Sequence, residues 1–307
     1  MPVLSPLLLV DGHNLLHRAA FGFPARITSR HGRDITCAFG FFALLRAAAR
    51  SAPQPPHLVV VFDGENGAEV RRRLDPGYKP PVAGDQEVFA DLPRIRDGLD
   101  MLGVTWIEHP RWEADDVIAT LVERGDRRTC LIMSTDKDFY QLLGPRTMLL
   151  NTSRRADRRL VTVADVVTQH GVTPDQWCDY RALTGDPSDN IPGIRGVGPK
   201  TASRLLAEGA RLDDLDALGR LTGRTGMAIQ NQWESLRLWR SLIALTRTVS
   251  LDQTPPSEKP TDLPLAADVI RRLGLWESTP PQPDHVTASL LAPVERGRQR
   301  PVGERTR

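Results

Sequence analysis

Three short apolar runs without alternation set the frame of the chain: Leu7–Val10, Leu58–Phe62 and Thr129–Met133. Each is rich in leucine or β-branched residues, the pattern of strands buried on both faces of a parallel sheet. Between them the spacing predicts helices over Gly12–Ala20, Phe41–Arg50 and roughly Gln86–Leu102. Strands alternating with helices predict an α/β fold with a mainly parallel central sheet flanked by helices. Thr147–Val161 reads as an edge hairpin around a turn at Ser153–Asp157. From Thr162 the pattern becomes helical, with segments at Ala164–His170, Pro174–Leu183 and Pro199–Leu206. A longer helical stretch runs from Arg224 to Val249, whose apolar positions Ile229, Trp233, Leu236, Trp239, Leu242 and Ile243 suit a core face. Beyond Trp276 the chain is Pro-, Gln- and Arg-rich and buries too little apolar surface to order itself. The expected division is an α/β domain over 1–162, a helical domain over 163–276 and a disordered basic tail over 277–307.

The polar residues that interrupt this pattern are mostly carboxylates. Asp11 follows the first run, Asp63 the second, and Asp136 and Asp138 the third, after Ser134 and Thr135. Ligand crevices in such sheets lie at the carboxyl ends of the strands, so these side chains should meet. Glu113, Asp115 and Asp116 precede the helical pattern Val117, Ile118, Leu121, Val122. Glu113 and Asp116 share a face if both are helical. Acids suit a helix N-terminus, and a single Asp after a strand is an ordinary turn residue or cap. Those roles account for one or two of these acids but not for all, and Asp186 and Asp189 add two more in a loop. Clustered oxygen ligands with no Cys or His among them point to magnesium or manganese. His13 and His17 are four apart, but so many oxygens nearby favour a plain helix at the crevice mouth over a metal pair.

Composition narrows the setting. The 307 residues carry a net charge of +2, so local charge must select the partner. Lysine occurs only at 79, 137, 200 and 259. Cys37, Cys130 and Cys178 have no metal or redox spacing and read as free thiols of a reducing compartment. The first ten residues lack a signal-peptide pattern and no apolar run reaches membrane-spanning length, so a cytoplasmic protein without a membrane partner is expected.

Two segments have a different character. Gly64–Gly84 is long, basic and poor in apolar residues, with Arg71–Arg73 and then Pro76–Pro81. As well as a solvated excursion, it suits a flexible arm holding a polyanion over the carboxylates, with Arg71 and Lys79 as its working cations. Ile191–Leu206 places Gly193, Gly196 and Gly198 in a tight hairpin, with Pro199 opening a helix. The N–H groups of that helix start, with Lys200 and Arg204 beside them, suit a phosphate seat, though a Gly-rich turn alone can be an ordinary connection. Residues 191–250 hold nine Lys or Arg against five Asp or Glu, as a backbone-binding face would.

Taken together, the motifs resemble the 5′ nuclease domain of bacterial DNA polymerase I, within the wider flap endonuclease group of PIN-like, resolvase-like folds. The resemblance covers about residues 6–275 and rests on Leu9–Gly12, Val60–Asp63, Glu113–Asp116, Thr135–Asp138, Asp179–Gly193 and the hairpin through Ala202. It implies a metal-dependent 5′→3′ exonuclease and flap endonuclease in a free-standing form. One ion would be shared among Asp11, Asp63, Glu113, Asp115 and Asp116, and a second among Asp136, Asp138, Asp186 and Asp189. The resemblance makes Arg71 and Lys79 the catalytic cations of a helical arch over 64–84. It also makes Ile191–Leu206 a helix-hairpin-helix that grips DNA through Gly193, Arg195, Gly196, Gly198, Lys200, Thr201 and Arg204, with a potassium ion against the backbone. Expected partners are DNA flaps, nicks and 5′ ends, with RNA–DNA hybrids as further substrates, bound by a monomer. Lys79 is followed by Pro80, Pro81 and Val82 where the family has a small residue, a polar one and an Arg. The prolines should leave 64–84 poorly helical until DNA orders it. Two competing readings are a DNA-structure-binding protein of weak activity and an RNA-cleaving relative.

Overall fold

Each apolar run becomes a buried strand because its alternate side chains meet different helix layers. The computed structural model describes residues 5–22, 25–80, 88–125, 128–251 and 260–279. The strands are β1 (Leu7–Asp11), β2 (His57–Phe62), β3 (Thr105–Glu108), β4 (Cys130–Met133), β5 (Thr147–Leu150) and β6 (Leu160–Val161). They lie in the order β3-β2-β1-β4-β5-β6; all neighbours are parallel except β5 and β6. The chain builds outward from β1 through β2 to β3, then returns to place β4 on the other side of β1. Strand order therefore reverses between β1 and β4, which opens a crevice at their carboxyl ends.

Leu7, Leu9, Val59, Val61, Ile132 and Leu149 point to one face; Leu8, Val10, Leu58, Val60, Leu131 and Met133 point to the other. This period of two puts neighbours in separate cores. The second face is covered by α1 (Gly12–Phe21), α2 (Thr36–Ser51) and α4 (Leu92–Met101). The first is covered by α5 (Ala114–Arg124), and its core runs on without a break into the helical region. That region comprises α6 (Val163–His170), α7 (Trp177–Thr184), α8 (Pro199–Leu205), α9 (Gly223–Asn231) and α10 (Trp233–Ile243). α11 (Ala266–Arg272) returns to the sheet, where Ala266, Val269 and Ile270 join the layer of Phe41, Phe42 and Leu45.

Several elements depart from the sequence pattern. No apolar run predicts β3: Thr105–Glu108 is a half-buried edge strand with polar residues at both ends. The stretch from Arg224 is two helices, broken at Gln232 and ended at Ala244, where the backbone turns extended. α4 begins at Leu92 with Pro93 in its first turn; residues 81–87, including the expected start near Gln86, lie outside the described residues. Of the arm expected to be poorly helical, Glu69–Leu74 forms one short helix, α3, the described residues on either side are turns and bends, and 81–84 lie outside the described residues. The prolines lie beyond it, so they do not interrupt its hydrogen bonds. The expected basic tail lies, from residue 280 onward, outside the described residues. No helix among the described residues is long and apolar enough to cross a membrane.

Candidate active site

The carboxyl end of β1 supplies the first acid and fixes its neighbours. Asp11 is at once the last residue of β1 and the N-cap of α1, accepting the Asn14 N–H at 3.0 Å. Its other oxygen accepts the Ser134 hydroxyl at 2.8 Å, just past β4. Asn14 reaches across to Thr135, donating from Nδ2 at 2.7 Å and accepting the backbone N–H at 3.2 Å. These bonds tie the two sides of the strand-order reversal. Ser134 also accepts the Asp136 N–H, and Asp136 accepts the Asp138 N–H, so the turn after β4 aims both acids at the crevice.

Asp63, at the end of β2, caps α5 from a distance by accepting the Ala114 N–H at 2.6 Å. That bond brings the start of α5 to the crevice without a local cap. The Asp63 N–H in turn donates to His13 Nδ1 at 2.8 Å, so one histidine nitrogen is already committed. His17 stacks with Phe21, which fits a helix at the crevice mouth. Asp11, Asp63, Asp115 and Asp136 form one electrostatic group. Burial, opposed by the Asn14 hydrogen bond and reinforced by Asp63 and Asp136, pushes the Asp11 carboxyl up to about 7. Burial, with Asp11, Asp136 and Asp63 adding to it against Lys79, raises Asp115 well above the usual carboxylate range.

Asp138, Asp186 and Asp189 form a second, buried group, with one ligand atom of each within 4.8 Å of the others. Asp186 is held by a backbone bridge to Ile191, with both N–H···O bonds at 2.7 Å, and it accepts the Ser188 N–H. Burial and the neighbouring carboxylates raise Asp138 strongly. Burial raises Asp189 to about 6 against the pull of Lys79. One Asp138 oxygen, Oδ1, is buried with no hydrogen-bond partner. Three hard oxygen donors and an orphaned buried carboxylate oxygen fit a divalent cation of the magnesium or manganese type. Asp136 acts electrostatically on both groups and so links them.

Arg71 and Asp116, both expected in the site, are paired with each other. Arg71 is buried in α3. Its Nη1 reaches Glu113 at 2.5 Å and Asp116 at 2.7 Å, while Nη2 reaches the second Asp116 oxygen at 2.8 Å. Nε and Nη2 also donate to the carbonyls of Leu242 and Ala244 around the end of α10. Asp116 is fully buried, and the Thr246 N–H donates a further bond to Oδ1. Its oxygens thereby join α3, α5 and the 242–246 segment. Glu113 stands as the N-cap residue of α5 with extended backbone, which lets it share Arg71 with Asp116.

Lys79 sits among the acids. Its Nζ is 2.7 Å from Glu113 Oε1 and 3.9 Å from both Asp115 and Asp189. Burial alone would raise Glu113, yet Lys79 and Arg71 hold it below the usual range. Asn190 donates to the Gly77 carbonyl at 2.9 Å, which docks the 186–190 loop against this part of the arm. Sequence reasoning misses two neighbours of the acids: Tyr78, which also donates to Glu113, and Arg181, beside Asp186 and Asp138. Tyr78 adjoins Lys79 in the chain, but nothing in the spacing marks Arg181 as facing the acids.

A turn-rich segment with α8 at its end follows α7. Val197 closes it on Ile194, both apolar side chains being buried. Gly193 has φ +67°, and a Cβ there would lie 2.4 Å from the Gly185 nitrogen, so a side chain is excluded. Gly196 turns at φ +86°. Arg195, Gly196, Gly198, Lys200 and Arg204 are exposed or nearly so, and Thr201 is half-buried.

Comparison with known proteins gives a consistent picture. The family description "5′–3′ exonuclease, N-terminal resolvase-like domain" matches residues 6–171, and "5′–3′ exonuclease, C-terminal SAM fold" matches 172–263. Thermostable DNA polymerase I of Thermus thermophilus is 37% identical over 279 residues, covering 89% of this chain and 31% of the polymerase. DNA polymerase I of Mycobacterium tuberculosis is 35% identical over 255 residues, 81% of this chain and 28% of the polymerase. The chain thus spans less than a third of the length of these relatives. Among solved structures, T5 5′-exonuclease bound to zinc superposes with a TM-score of 0.63 at 21% identity, covering 79% of this chain and 90% of the exonuclease. Flap endonuclease-1 from Methanococcus jannaschii gives 0.55 at 15% identity, with 89% of each chain covered. At these identities both superpositions speak for the fold.

Proposed function

The chain belongs to the 5′–3′ exonuclease family, and on that premise we propose that it hydrolyses DNA phosphodiester bonds from 5′ ends, at nicks and at 5′ flaps. The observation that carries this reading is the convergence of seven acids, Asp11, Asp63, Asp115, Asp136, Asp138, Asp186 and Asp189, on one crevice beside Lys79. Glu113 borders it through Lys79. T5 5′-exonuclease, a structural neighbour, binds zinc ions; for this chain we assign two magnesium or manganese ions.

Asp11, Asp63, Asp115 and Asp136 would hold one ion, and Asp138, Asp186 and Asp189 the other. Bound ions supply a water of lowered pKa and charge stabilisation at the phosphate. The protein's part is orientation. Asp63 aligns α5, Asn14 fixes the turn after β4, and Ser134 fixes Asp11. Lys79 presents its ammonium from the arm to the phosphate, while Arg71 keeps Glu113 Oε2 from turning. The hairpin with Arg195, Lys200, Thr201 and Arg204 holds duplex backbone, with Gly193 forming the buried turn, Gly196 and Gly198 allowing close approach, and a potassium ion as part of the seat. RNA–DNA hybrids share that backbone and fit as substrates. We assign the monomer as the working unit, a cytoplasmic location, and domains at 1–162 and 163–276 with a basic tail.

Product analysis on 5′-labelled flap, nicked and blunt duplexes tests the proposal. Magnesium-dependent release of short 5′ products is expected. Binding without cleavage at any magnesium concentration would favour a structure-binding protein, and cleavage confined to RNA would favour the RNA-cleaving reading.

A further inference from the structure

Each group of acids already contains a basic side chain, and the one in the second group is placed unusually. Arg181 rises from the last turn of α7 into the Asp138, Asp186 and Asp189 group. Its Nη2 pairs with Asp186 Oδ2. Its Nε faces Asp138 Oδ1 at 3.6 Å, beyond hydrogen-bond length. Both of those facing atoms are buried and have no hydrogen-bond partner. A guanidinium placed to serve Asp138 would close that gap. A guanidinium serving only to hold the loop is not needed, since the bridge to Ile191 and the Ser188 N–H already fix Asp186.

We propose that Arg181 is a resident counter-cation of the second carboxylate group and sets how tightly that group takes a divalent ion. It offsets part of the charge of three acids that burial would otherwise keep apart or protonated. An ion entering between Asp138, Asp186 and Asp189 must do so against this fixed positive charge. Lys79 stands near both groups and Arg181 beside the second alone, so the second group would be the weaker of the two and fill at higher metal concentration. Arg181 is a positioning residue for the metal and takes no part in bond cleavage. The inference rests on the reading of this group as a metal site.

Manganese binding to the DNA-free protein, followed by calorimetry and electron paramagnetic resonance, tests it without relying on turnover. Two classes of site are expected in the wild type, with Asp138→Asn removing the weaker one. In Arg181→Leu the weaker site should tighten about tenfold while the stronger stays within about twofold, because like charges within about 4 Å interact strongly at partial burial. Arg181→Lys, which keeps a charge and is the safer variant for folding, should lie between the two. Circular dichroism and the melting temperature establish that each variant is folded. An unchanged or weakened second site in folded Arg181→Leu or Arg181→Lys overturns the inference and leaves the metal reading standing. A wild type that binds no ion sensitive to Asp138→Asn overturns both.

Discussion

Arg71 grips Asp116 with two parallel contacts, Nη1 to Oδ2 at 2.7 Å and Nη2 to Oδ1 at 2.8 Å, both side chains being almost wholly buried. The same guanidinium binds Glu113 and two carbonyls around the end of α10, so it joins the arm, α5 and the helical region at one point. Such a fork is the geometry that arginine offers and lysine does not.

Removal of one partner leaves buried carboxylates without their countercharge. Arg71→Met is expected to destabilise the fold by about 3–5 kcal/mol. Urea unfolding checks this. A change below about 1 kcal/mol would mean the pair contributes little to the folded state.

Metal binding should tighten with rising pH. Asp11 and Asp189 titrate near 7 and near 6 in the fold against 3.8 unperturbed, so the folded protein holds protons the unfolded chain has released. Their contribution to stability is present below about pH 4 and is lost as pH rises through about 6 and 7. Without divalent ions the melting temperature should therefore fall between about pH 5 and about pH 8 through these groups. A bound ion must expel the same protons, so affinity should rise about tenfold per pH unit for each proton released. Glu113 and Asp186 are held low and lose their contribution only in more acid solution. Calorimetry in buffers of different ionisation heat measures the protons released; a count of zero at about pH 6.5 contradicts the assignment.

Lys79→Ala should lower single-turnover cleavage by about 10²–10³, the usual effect of removing a group that stabilises developing charge. Duplex affinity should change by less than about threefold, because the hairpin supplies the backbone contacts. A mutant in which affinity and rate fall together would place Lys79 in substrate binding.

The double mutant Lys200→Ala, Arg204→Ala should weaken binding to all duplex sequences alike. For every phosphate that is no longer neutralised, the log–log salt slope should fall by about 0.9. A slope equal to the wild type's would make the hairpin purely structural.

Much of the frame was legible in the sequence because unalternating apolar runs, each ending in Asp, arise from little besides a buried parallel sheet with a polar crevice at its edge. The parallel strands, the edge hairpin and the meeting of Asp11, Asp63 and Asp136 follow from that pattern. β3 was hidden because an edge strand needs only partial burial, so Thr105 and Glu108 interrupt the signal. The partners of Arg71 were hidden for a different reason. Glu113 lies 42 positions away, Asp116 lies 45 away and the Leu242 carbonyl 171 away, and no local pattern records such a contact. In the sequence Arg71 is one of three consecutive arginines, and only the fold separates the buried one from exposed Arg72 and Arg73. The fork between Arg71 and Asp116 was hidden for the same reason: proximity along the chain does not tell which side of α5 each acid takes.

The central claim is that the acids at the carboxyl ends of the strands perform metal-dependent cleavage while a separate surface holds the DNA. Asp136 links both groups of acids and lies outside the hairpin. Single-turnover cleavage of a 5′-labelled flap by Asp136→Ala, measured at saturating magnesium beside its duplex affinity, tests this most directly. The expected result is a rate reduced by about 10³ or more with affinity within about threefold of wild type. A rate of at least about a tenth of wild type would contradict the assignment of these carboxylates.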